Sequence, residues 1–373
     1  MRILGFMSGT SLDAVDMAVL ETDGEVIHAF GPAGERKLSP ETRAVVLAAT
    51  EAAKTWPRGA PEPAVFAAAA RAVALEHLAA ARAFLAEHDL SAADLDLVGF
   101  HGQTVLHERP TAERLGRTVQ LGDGALLAEG LGVPVAFDFR TADVAAGGEG
   151  APLAPIYHAA RAKASGLAAP AAILNLGGVA NITLIPSSLD ARGGDLTAFD
   201  TGPANGMIDL WVQAKTEHRF DPDGQFAEAG AVDAATLAVL LDHPYFTAPG
   251  PKSLDRYDFP LTPVVHLSLE DGAATLVAFT AETVALAVRG AAEAPRALIA
   301  SGGGRRNPVL MAAITARVGV PVLAAEALGW RGDAIEAEAF AYLAARTFKG
   351  LPISFPGTTG APQPMTGGRI VRP

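Results

Sequence analysis

The residues best suited to chemistry are a few carboxylates and several glycine-rich turns. Met7-Ser8-Gly9-Thr10-Ser11-Leu12-Asp13 lies between two apolar runs that predict β-strands. Small residues in such a turn let backbone N–H groups and hydroxyls converge on a phosphate group. Asp13 and Asp16 are nearby, and two carboxylates beside bound phosphates suit a hydrated Mg²⁺ ion. The turn lacks the P-loop lysine and the dinucleotide-binding glycine spacing, and an ordinary hairpin turn explains it equally well.

Two further glycine-rich segments lie in the second half of the chain. Asn175-Leu176-Gly177-Gly178-Val179-Ala180-Asn181 places a glycine pair and polar side chains between two predicted strands. Ser301-Gly302-Gly303-Gly304-Arg305-Arg306-Asn307 joins a predicted strand to a helix. Its glycines allow a flat ligand or a phosphate to approach the backbone closely. Taken alone, the first segment is also typical of a hairpin turn and the second of a flexible loop.

Polar residues follow several predicted strands. Asp200 stands between a strand and a helix in Phe199-Asp200-Thr201-Gly202-Pro203, where a carboxylate can accept a proton from an attacking water. For an isolated aspartate, a turn or helix-capping role is more common. His101-Gly102-Gln103-Thr104 and Asp138-Phe139-Arg140-Thr141-Ala142-Asp143 also lie at strand ends, where α/β proteins bind ligands. The acids of 332–338 are explained by the positive N-terminus of the last long helix.

Composition limits the possible classes of protein. The chain has 373 residues, of which 50% are hydrophobic and 19% charged, so wholesale disorder is excluded and two domains are possible. The net charge of −12 gives no global reason to bind nucleic acid or an anionic membrane. Because there is no cysteine, thiolate catalysis, disulfides and cysteine-based metal sites are excluded. His101 and His107 have no third ligand at metal-binding spacing, so no histidine metal site is predicted.

We predict a cytoplasmic protein that does not bind a membrane. No apolar stretch reaches the roughly 18–20 residues needed to span a bilayer without a charge, Gly or Pro. The apolar run at the N-terminus is too short for a signal peptide.

The apolar pattern predicts an α/β fold in which each half begins with antiparallel strands. The first three strands fall at the start of the chain, joined by the turn at Gly9 and by Asp23-Gly24. Further strands are predicted over residues 95–100, 119–121, 133–137, 171–176, 180–185, 195–199 and 297–300. Helices are predicted over 39–53, 62–88, 125–129, 205–215, 233–241, 273–289, 307–316 and 335–348. Because strand–Gly-turn–strand recurs at 3–20 and 173–185, two related domains around a cleft are expected.

The order of these motifs resembles the actin/hexokinase/Hsp70 ATPase superfamily, in which two duplicated actin-like (ribonuclease H-like) domains bind Mg·ATP in a nucleotide cleft. We predict an N-terminal actin-like domain over 1–135 plus 350–373 and a C-terminal one over 136–349. The Gly-rich residues 140–152 are expected to be a loop or linker between the halves. More narrowly, the chain resembles the anhydro-N-acetylmuramic acid kinases through Gly5–Asp16, Gly99–Thr104, Asn175–Thr183, Phe199–Asn205 and Gly302–Asn307. Ala14 and Ala204 stand where glycine is expected, which affects only fine loop geometry.

This resemblance implies a reaction and its residues. Water opens the 1,6-anhydro ring of 1,6-anhydro-N-acetylmuramic acid and ATP phosphorylates O6, giving N-acetylmuramate 6-phosphate and ADP in peptidoglycan recycling. By resemblance Asp200 is the general base and binds the sugar, with His101, Gln103 and Arg140 as further sugar contacts. The implied nucleotide contacts are Gly9, Thr10, Ser11, Leu12, Asp13, Ala14, Val15, Asp16, Gly177, Gly178, Asn181, Gly302, Gly303, Gly304 and Asn307. Asp13 and Asp16 are the implied Mg²⁺ ligands, the Arg140 fork suits the lactyl carboxylate, and a homodimer is implied.

The sequence alone leaves three alternatives open. A kinase of another sugar, or a phosphatase, on the same fold would keep the ATP motifs and differ at His101, Gln103 and Arg140. An ATP-driven binding or filament protein is less well supported, because no added substrate-binding domain is recognisable in these residues. A glycosidase with two carboxylates would act without ATP.

Overall fold

The computed structural model describes residues 1–9, 11–111, 113–188, 195–254 and 258–373. These residues form two compact units. Unit 1 comprises Met1–Ala164 and Ala334–Pro373, and unit 2 comprises Ser165–Asp333. The boundaries differ from those predicted near 135 and 350. Residues 155–164 and 335–349 are helices that pack against strands of unit 1, so they belong to that unit.

Strands and helices alternate along the chain after an initial strand meander. In chain order the strands are β1 (Arg2–Met7), β2 (Ala14–Thr22), β3 (Ile27–Lys37), β4 (Leu97–Phe100), β5 (Gln103–Glu108), β6 (Arg117–Leu121), β7 (Val135–Phe137), β8 (Ala171–Leu176), β9 (Val179–Ile185), β10 (Thr197–Pro203), β11 (Leu298–Ser301), β12 (Val322–Ala324) and β13 (Arg369–Val371). The α-helices are α1 (Pro40–Lys54), α2 (Ala64–Glu87), α3 (Gly124–Leu131), α4 (Thr141–Ala145), α5 (Pro155–Ala164), α6 (Asn205–Lys215), α7 (Gln225–Ala229), α8 (Ala234–Leu241), α9 (Pro244–Thr247), α10 (Leu269–Arg289), α11 (Pro308–Val318), α12 (Ile335–Lys349) and α13 (Pro356–Thr359).

The main sheets of the two units share one strand order. Unit 1 has β13-β7-β4-β1-β2-β3, and unit 2 has β12-β11-β8-β9-β10. In each, three consecutive strands pair antiparallel, and two later strands add in parallel on the other side of the first. Unit 1 adds β13 at its edge, and β5 and β6 form a separate hairpin. This repetition confirms the predicted duplicated, actin-like α/β fold.

Most predicted elements are present, with their ends shifted by a few residues. Ser39 caps α1 as predicted, because its side chain accepts the backbone N–H of Thr42. Elements such as β12 and α5 were not predicted, since short segments give too few residues for a clear period. Residues 140–152 are not a linker between the halves. They lie inside unit 1 and include α4.

Two paired glycines let α12 lie directly against the sheet of unit 1. Gly5 of β1 pairs with Gly99 of β4. A Cβ atom at Gly5 would overlap the carbonyl oxygen of Ala337, and one at Gly99 would overlap that of Phe340. Because glycine alone allows this approach, the sheet holds the helix backbone at close range.

The core of unit 2 forms around α10, which packs against α6, α7, α8, α11 and β10. Among the described residues, α10 alone is long and apolar enough to cross a membrane, judged by length and composition. Of its 18-residue apolar window, 83% is buried inside the protein. Packing in the core of unit 2 therefore accounts for its apolar composition.

Candidate functional site

The turn between β1 and β2 is held by hydrogen bonds to one carbonyl group. The backbone N–H of Leu12 donates to Gly9 O at 3.2 Å, and the buried Gln103 donates Nε2–H to the same oxygen at 3.1 Å. Leu12 has a left-handed φ of 56°, a strained conformation that its buried side chain helps to maintain. Ser11 is exposed on this turn, and Thr10 lies outside the described residues. Leu12 and Gln103 thus both bond to the predicted phosphate turn at the carbonyl oxygen of Gly9.

The residues after this turn differ in their surroundings. Asp13 is exposed, and its Oδ1 lies 3.8 Å from the guanidinium of Arg43. Ala14 and Asp16 are half-buried on β2, while Val15 between them is buried in the core. The described residues contain no group of three or more acidic, histidine or cysteine side chains that could hold a metal ion. A nucleotide-bound Mg²⁺ needs only one or two protein carboxylates, so the role of Asp13 and Asp16 as its ligands stays a prediction.

Arg140 and His101 are in direct contact in unit 1. Arg140 donates Nε–H and Nη2–H to Nε2 of His101, at 3.2 and 3.1 Å. A guanidinium only donates hydrogen bonds, so Nε2 is the acceptor and the neutral ring carries its proton on Nδ1. Burial and then the charge of Arg140 lower the pKa of His101 well below 6.5. His101 therefore stays neutral near pH 7 and supplies no acid at Nε2.

The same contacts decide which part of Arg140 can bind a ligand. Nη1 donates to Gly150 O at 2.8 Å, so three of the five N–H groups are used. One N–H remains on each of Nη1 and Nη2. Desolvation lowers the pKa of Arg140 to about 10, against the opposing effect of Glu336 and Asp143, so the guanidinium stays charged. The edge formed by Nε and Nη2 is occupied by His101, so a ligand of Arg140 would have to use the N–H groups that remain on Nη1 and Nη2.

Glu336 is a neighbour of Arg140 that the sequence did not reveal. From the sequence, the positive helix N-terminus alone explains the acids at the start of α12. The carboxylate of Glu336 is close enough to raise the pKa of Arg140. Only the tertiary fold brings α12 beside a residue that precedes α4, so no local sequence signal could have found this pair.

Four polar residues form one row across the sheet of unit 2. Asp200 of β10 pairs with Asn181 of β9, and Asn181 pairs with Asn175 of β8. Asn175 pairs in turn with Ser301, the last residue of β11. Paired residues on neighbouring strands place their side chains on the same face of the sheet. The register therefore brings together residues of three separate motifs, among them the candidates Asp200 and Asn181, at the end of the sheet where both glycine-rich turns begin.

Asp200 is fixed on this row by a segment that follows α9. Its Oδ2 accepts the backbone N–H of Leu254 at 2.7 Å, and its backbone N–H donates to Lys252 O at 3.0 Å. The hydroxyl of Tyr245 donates to Asp200 O at 2.5 Å. The register of β10 against β9 shifts just after Asp200, a bulge of the kind that re-aims side chains beside active sites. Ala204 occupies the N-cap of α6, so Asp200 is not its capping residue.

The glycine pair of unit 2 supports the start of α6. Gly177 O accepts the backbone N–H of Asn205 at 3.1 Å, and Gly178 O accepts that of Gly206 at 3.0 Å. The side chain of Asn205 donates to Leu176 O at 2.9 Å. The carbonyl groups of the predicted nucleotide turn are thus bonded to α6, which fixes the turn in one conformation.

The glycine triplet, Gly302–Gly304, is closely packed at its first and last residues and open at its middle residue. Gly302 has φ 74° and ψ 171°, a region in which essentially only glycine is found. A Cβ atom there would collide with Oδ1 of Asn175, and one at Gly304 would lie 2.8 Å from Oδ1 of Asn205. A Cβ atom at Gly303 would meet nothing within 4 Å. The open backbone of Gly303 is therefore the part of this turn that a ligand can approach.

Arg305 fixes the triplet, although the sequence assigned it no role. Its side chain is only 5% exposed, and Nη1 donates to Gly302 O at 2.8 Å and to Asp333 Oδ1 at 3.0 Å. Nε and Nη2 both donate to Glu326 Oε1, at 2.9 and 2.7 Å. At the end of the turn, Asn307 Oδ1 caps α11 by accepting two backbone N–H groups, at 3.0 and 3.1 Å. Its predicted contact with adenosine stays a prediction.

Comparison with known proteins decides the family. Residues 1–373, the whole chain, match the model of the anhydro-N-acetylmuramic acid kinase family. The chain belongs to this family. An anhydro-N-acetylmuramic acid kinase of Caulobacter vibrioides is 71% identical over 371 residues, covering 100% of this chain and 99% of the relative. One of Phenylobacterium zucineum is 65% identical over all of both chains, and one of Rhizobium rhizogenes is 48% identical over 98% of each.

Family membership confirms the resemblance that the motifs predicted. The chain is a kinase of the anhydro-N-acetylmuramic acid kinase family, so the alternative of a filament or binding protein is set aside. The roles of Asp200, Arg140 and the glycine turns stay predictions.

Proposed function

We propose that this chain uses ATP to open the anhydro ring of 1,6-anhydro-N-acetylmuramic acid with water and to phosphorylate O6. Family membership supports the substrate. The structural observation that carries the proposal is the carboxylate of Asp200, anchored by the Leu254 N–H at 2.7 Å on the polar row of unit 2. An anchored carboxylate beside glycine turns suited to phosphate is well placed to accept a proton from water.

Asp200 acts as the general base in this reaction. It takes a proton from a water molecule as the water oxygen attacks the anomeric carbon, C1. The bond between C1 and O6 breaks, and its electron pair moves to O6. O6 attacks the γ-phosphorus of ATP, the bond to the β–γ bridging oxygen breaks, and ADP leaves. Phosphoryl transfer thereby traps the opened ring, and Asp200 releases its proton to solvent.

The glycine-rich turns provide the nucleotide contacts. Backbone N–H groups of the turn from Gly9 to Asp16 bind phosphate oxygens, since such turns direct several N–H dipoles at one anion. Gly177, Gly178 and Asn181 add further contacts, and Gly302–Gly304 with Asn307 border the adenosine. Mg²⁺ would be held by Asp13 or Asp16 together with the phosphates, where it neutralises charge on the β- and γ-phosphate oxygens.

Arg140, Gln103 and His101 serve the sugar. The N–H groups left on Nη1 and Nη2 of Arg140 pair with the lactyl carboxylate as charge-assisted hydrogen bonds. Gln103 connects the predicted sugar-binding residues to the turn at Gly9, because its side-chain amide donates a hydrogen bond to the carbonyl oxygen of Gly9. His101 contributes by accepting from Arg140, and its neutral ring suits that task.

Isotope labelling tests the coupled reaction. The protein is incubated with 1,6-anhydro-N-acetylmuramic acid and Mg·ATP in ¹⁸O-labelled water, and the product is analysed by mass spectrometry. We expect a muramate phosphate with one ¹⁸O at C1 and none in the phosphate. Authentic N-acetylmuramate 6-phosphate in the same water corrects for exchange at C1. Labelled sugar formed without ATP would identify a glycosidase instead, and unchanged sugar with folded protein would contradict the proposal.

A cytoplasmic location and a homodimeric state complete the proposal. The homodimer is implied by the family resemblance, whereas the location rests on the apolar pattern of the sequence. The acidic net charge of −12 agrees with a protein that avoids anionic membrane surfaces. Light scattering at several protein concentrations tests the dimer, and cell fractionation tests the location. A concentration-independent monomer mass would contradict the first, and recovery with the membrane fraction the second.

A further inference from the structure

Asp143 is a buried carboxylate of α4 that accepts three hydrogen bonds. The residue is 2% exposed, and its Oδ1 accepts the backbone N–H of Gly150 at 2.7 Å. Its Oδ2 accepts the hydroxyl of Thr359 at 2.6 Å and that of Ser354. Gly150 lies in the loop after α4, whereas Ser354 and Thr359 lie in the segment after α12. One carboxylate therefore joins two distant parts of unit 1.

The loop residue that Asp143 holds also contacts Arg140. Gly150 donates its N–H to Asp143, and its carbonyl oxygen accepts Nη1–H of Arg140 at 2.8 Å. Gly150 has φ 73°, and a Cβ atom there would lie 2.5 Å from Cγ2 of Val144, so glycine is required. Arg140 donates its other edge to His101. The orientation of the guanidinium thus depends on Gly150 and, through it, on Asp143.

We propose that Asp143, held by Thr359 and Ser354, is a positioning residue that orients Arg140 toward the anionic group of the sugar. This inference rests on the role of Arg140 in the proposed function. Asp143 itself does not touch the substrate. It fixes Gly150, whose carbonyl oxygen accepts one N–H of Nη1, and this contact limits how the guanidinium, with the N–H groups left on Nη1 and Nη2, can turn. Loss of the Asp143 carboxylate, or of the hydrogen bonds that hold it, weakens sugar binding and leaves nucleotide binding intact.

Two neighbouring threonines provide a matched test. Thr359→Val removes one donor to Asp143 with little change in volume. Thr358→Val is the control, because Thr358 is equally buried and its hydroxyl bonds instead to the backbone of Phe355. We expect Thr359→Val to raise the KM for the sugar about tenfold, the loss of one charge-assisted contact, with kcat and the KM for ATP little changed. Asp143→Asn should raise this KM less than Asp143→Ala, since the amide oxygen can still accept from Gly150.

A second measurement reports on Arg140 without substrate. The ¹⁵N NMR signal of its Nε–H is identified by its loss in Arg140→Lys. In the native protein this hydrogen donates to His101, so it should exchange slowly with solvent. We expect faster exchange in Thr359→Val and in Asp143→Ala, and native exchange in Thr358→Val.

The outcomes separate this inference from the proposed function. The inference is overturned, and the proposed function is not, if Thr359→Val and Asp143→Ala both keep the native sugar KM and the native exchange rate while Arg140→Ala raises the sugar KM. Equal effects of Thr358→Val and Thr359→Val indicate general loosening and also overturn it. A native KM in Arg140→Ala removes Arg140 from sugar binding and the inference with it. Native protein that does not turn over the sugar contradicts the proposed function, and the exchange measurement then decides whether Asp143 positions Arg140.

Discussion

Arg140 donates two hydrogen bonds to a single acceptor, Nε2 of His101, at 3.2 and 3.1 Å. Two donors on one acceptor fix both the tautomer and the rotation of the imidazole ring. A histidine at the end of a strand is often considered a proton donor or acceptor in catalysis. Here its one acceptor nitrogen accepts both hydrogen bonds from a cation, so His101 and Arg140 form one hydrogen-bonded unit.

Buried histidines should make the stability of the protein depend on pH. Burial lowers the pKa of His77 and of His158 from 6.5 to about 4. Below pH 6.5 the unfolded chain binds protons at these side chains, whereas the folded protein does not until near pH 4. The stability that the two neutral histidines contribute above their pKa in the unfolded chain is therefore lost as the pH falls. For His77 alone the free energy of unfolding should decrease by roughly 3 kcal/mol between these limits.

Urea unfolding of His77→Phe across this pH range measures that loss. The His77 ring packs edge-on against Phe6 and Phe100, with ring centroids 5.3 and 4.9 Å apart, so an aromatic replacement suits the site. We expect a shallower fall in stability with acid than in the native protein. His28→Gln is the control, because His28 is exposed on β3. An unchanged acid dependence in His77→Phe would contradict the prediction.

Asp200→Asn should remove nearly all turnover without preventing ATP binding. An amide oxygen can still accept the Leu254 N–H, so the local structure is kept, but an amide cannot take a proton from water. Loss of a general base lowers kcat by about 10² to 10⁴. Steady-state kinetics measure kcat, and calorimetry measures the affinity for ATP. Asp195→Asn, at an exposed aspartate just before the same strand, should behave like the native enzyme. Near-native kcat in Asp200→Asn would remove Asp200 from the catalytic role.

Alanine substitutions at two neighbouring residues of the glycine triplet should have different effects, one on stability and the other on ATP affinity. Gly302→Ala should lower the free energy of unfolding by about 1–3 kcal/mol, because its φ of 74° and ψ of 171° are costly for alanine. Gly303→Ala should be as stable as the native protein, since its Cβ atom meets nothing within 4 Å. If the nucleotide approaches this backbone, Gly303→Ala will nevertheless raise the Kd for ATP. Thermal unfolding and calorimetry separate these effects, and native ATP affinity in Gly303→Ala would exclude the contact.

The fold could largely be predicted because its signals are local. Alternating apolar residues and glycine turns mark the strands of both meanders, and Ser39 before Pro40 marks a helix start. The unit boundaries could not be predicted in the same way. They depend on α12 packing against Gly5 and Gly99, a contact between segments far apart in the chain. A single sequence contains no pattern that reports it.

The candidate site, like the fold, could be predicted from the sequence only where its signals are local. Residue types and neighbours drew attention to Asp200, Asn181 and Gly302 individually, each with an ordinary turn role as an alternative. Asp200 and Asn181 lie on one row with Ser301, the residue before Gly302, as a consequence of strand register, which is set by pairing across the sheet. Arg305 and Asp143 stood within recognised motifs but had no assigned role. Their partners lie in distant segments, so only the fold reveals what they hold.

Arg305→Lys should weaken ATP binding while sparing the sugar. The guanidinium bonds to Glu326 through two nitrogens and to Gly302 O through the third, and a lysine ammonium cannot reproduce this planar arrangement. The Gly302–Gly304 turn then loses its fixed position, and we expect the KM for ATP to rise about tenfold with the sugar KM unchanged. Arg306→Lys is the matched control, since Arg306 is 67% exposed and pairs with Asp333 at the surface. Kinetics with each substrate varied in turn measure both constants. Equal ATP KM values in the two variants would mean that the buried arginine does not position the turn.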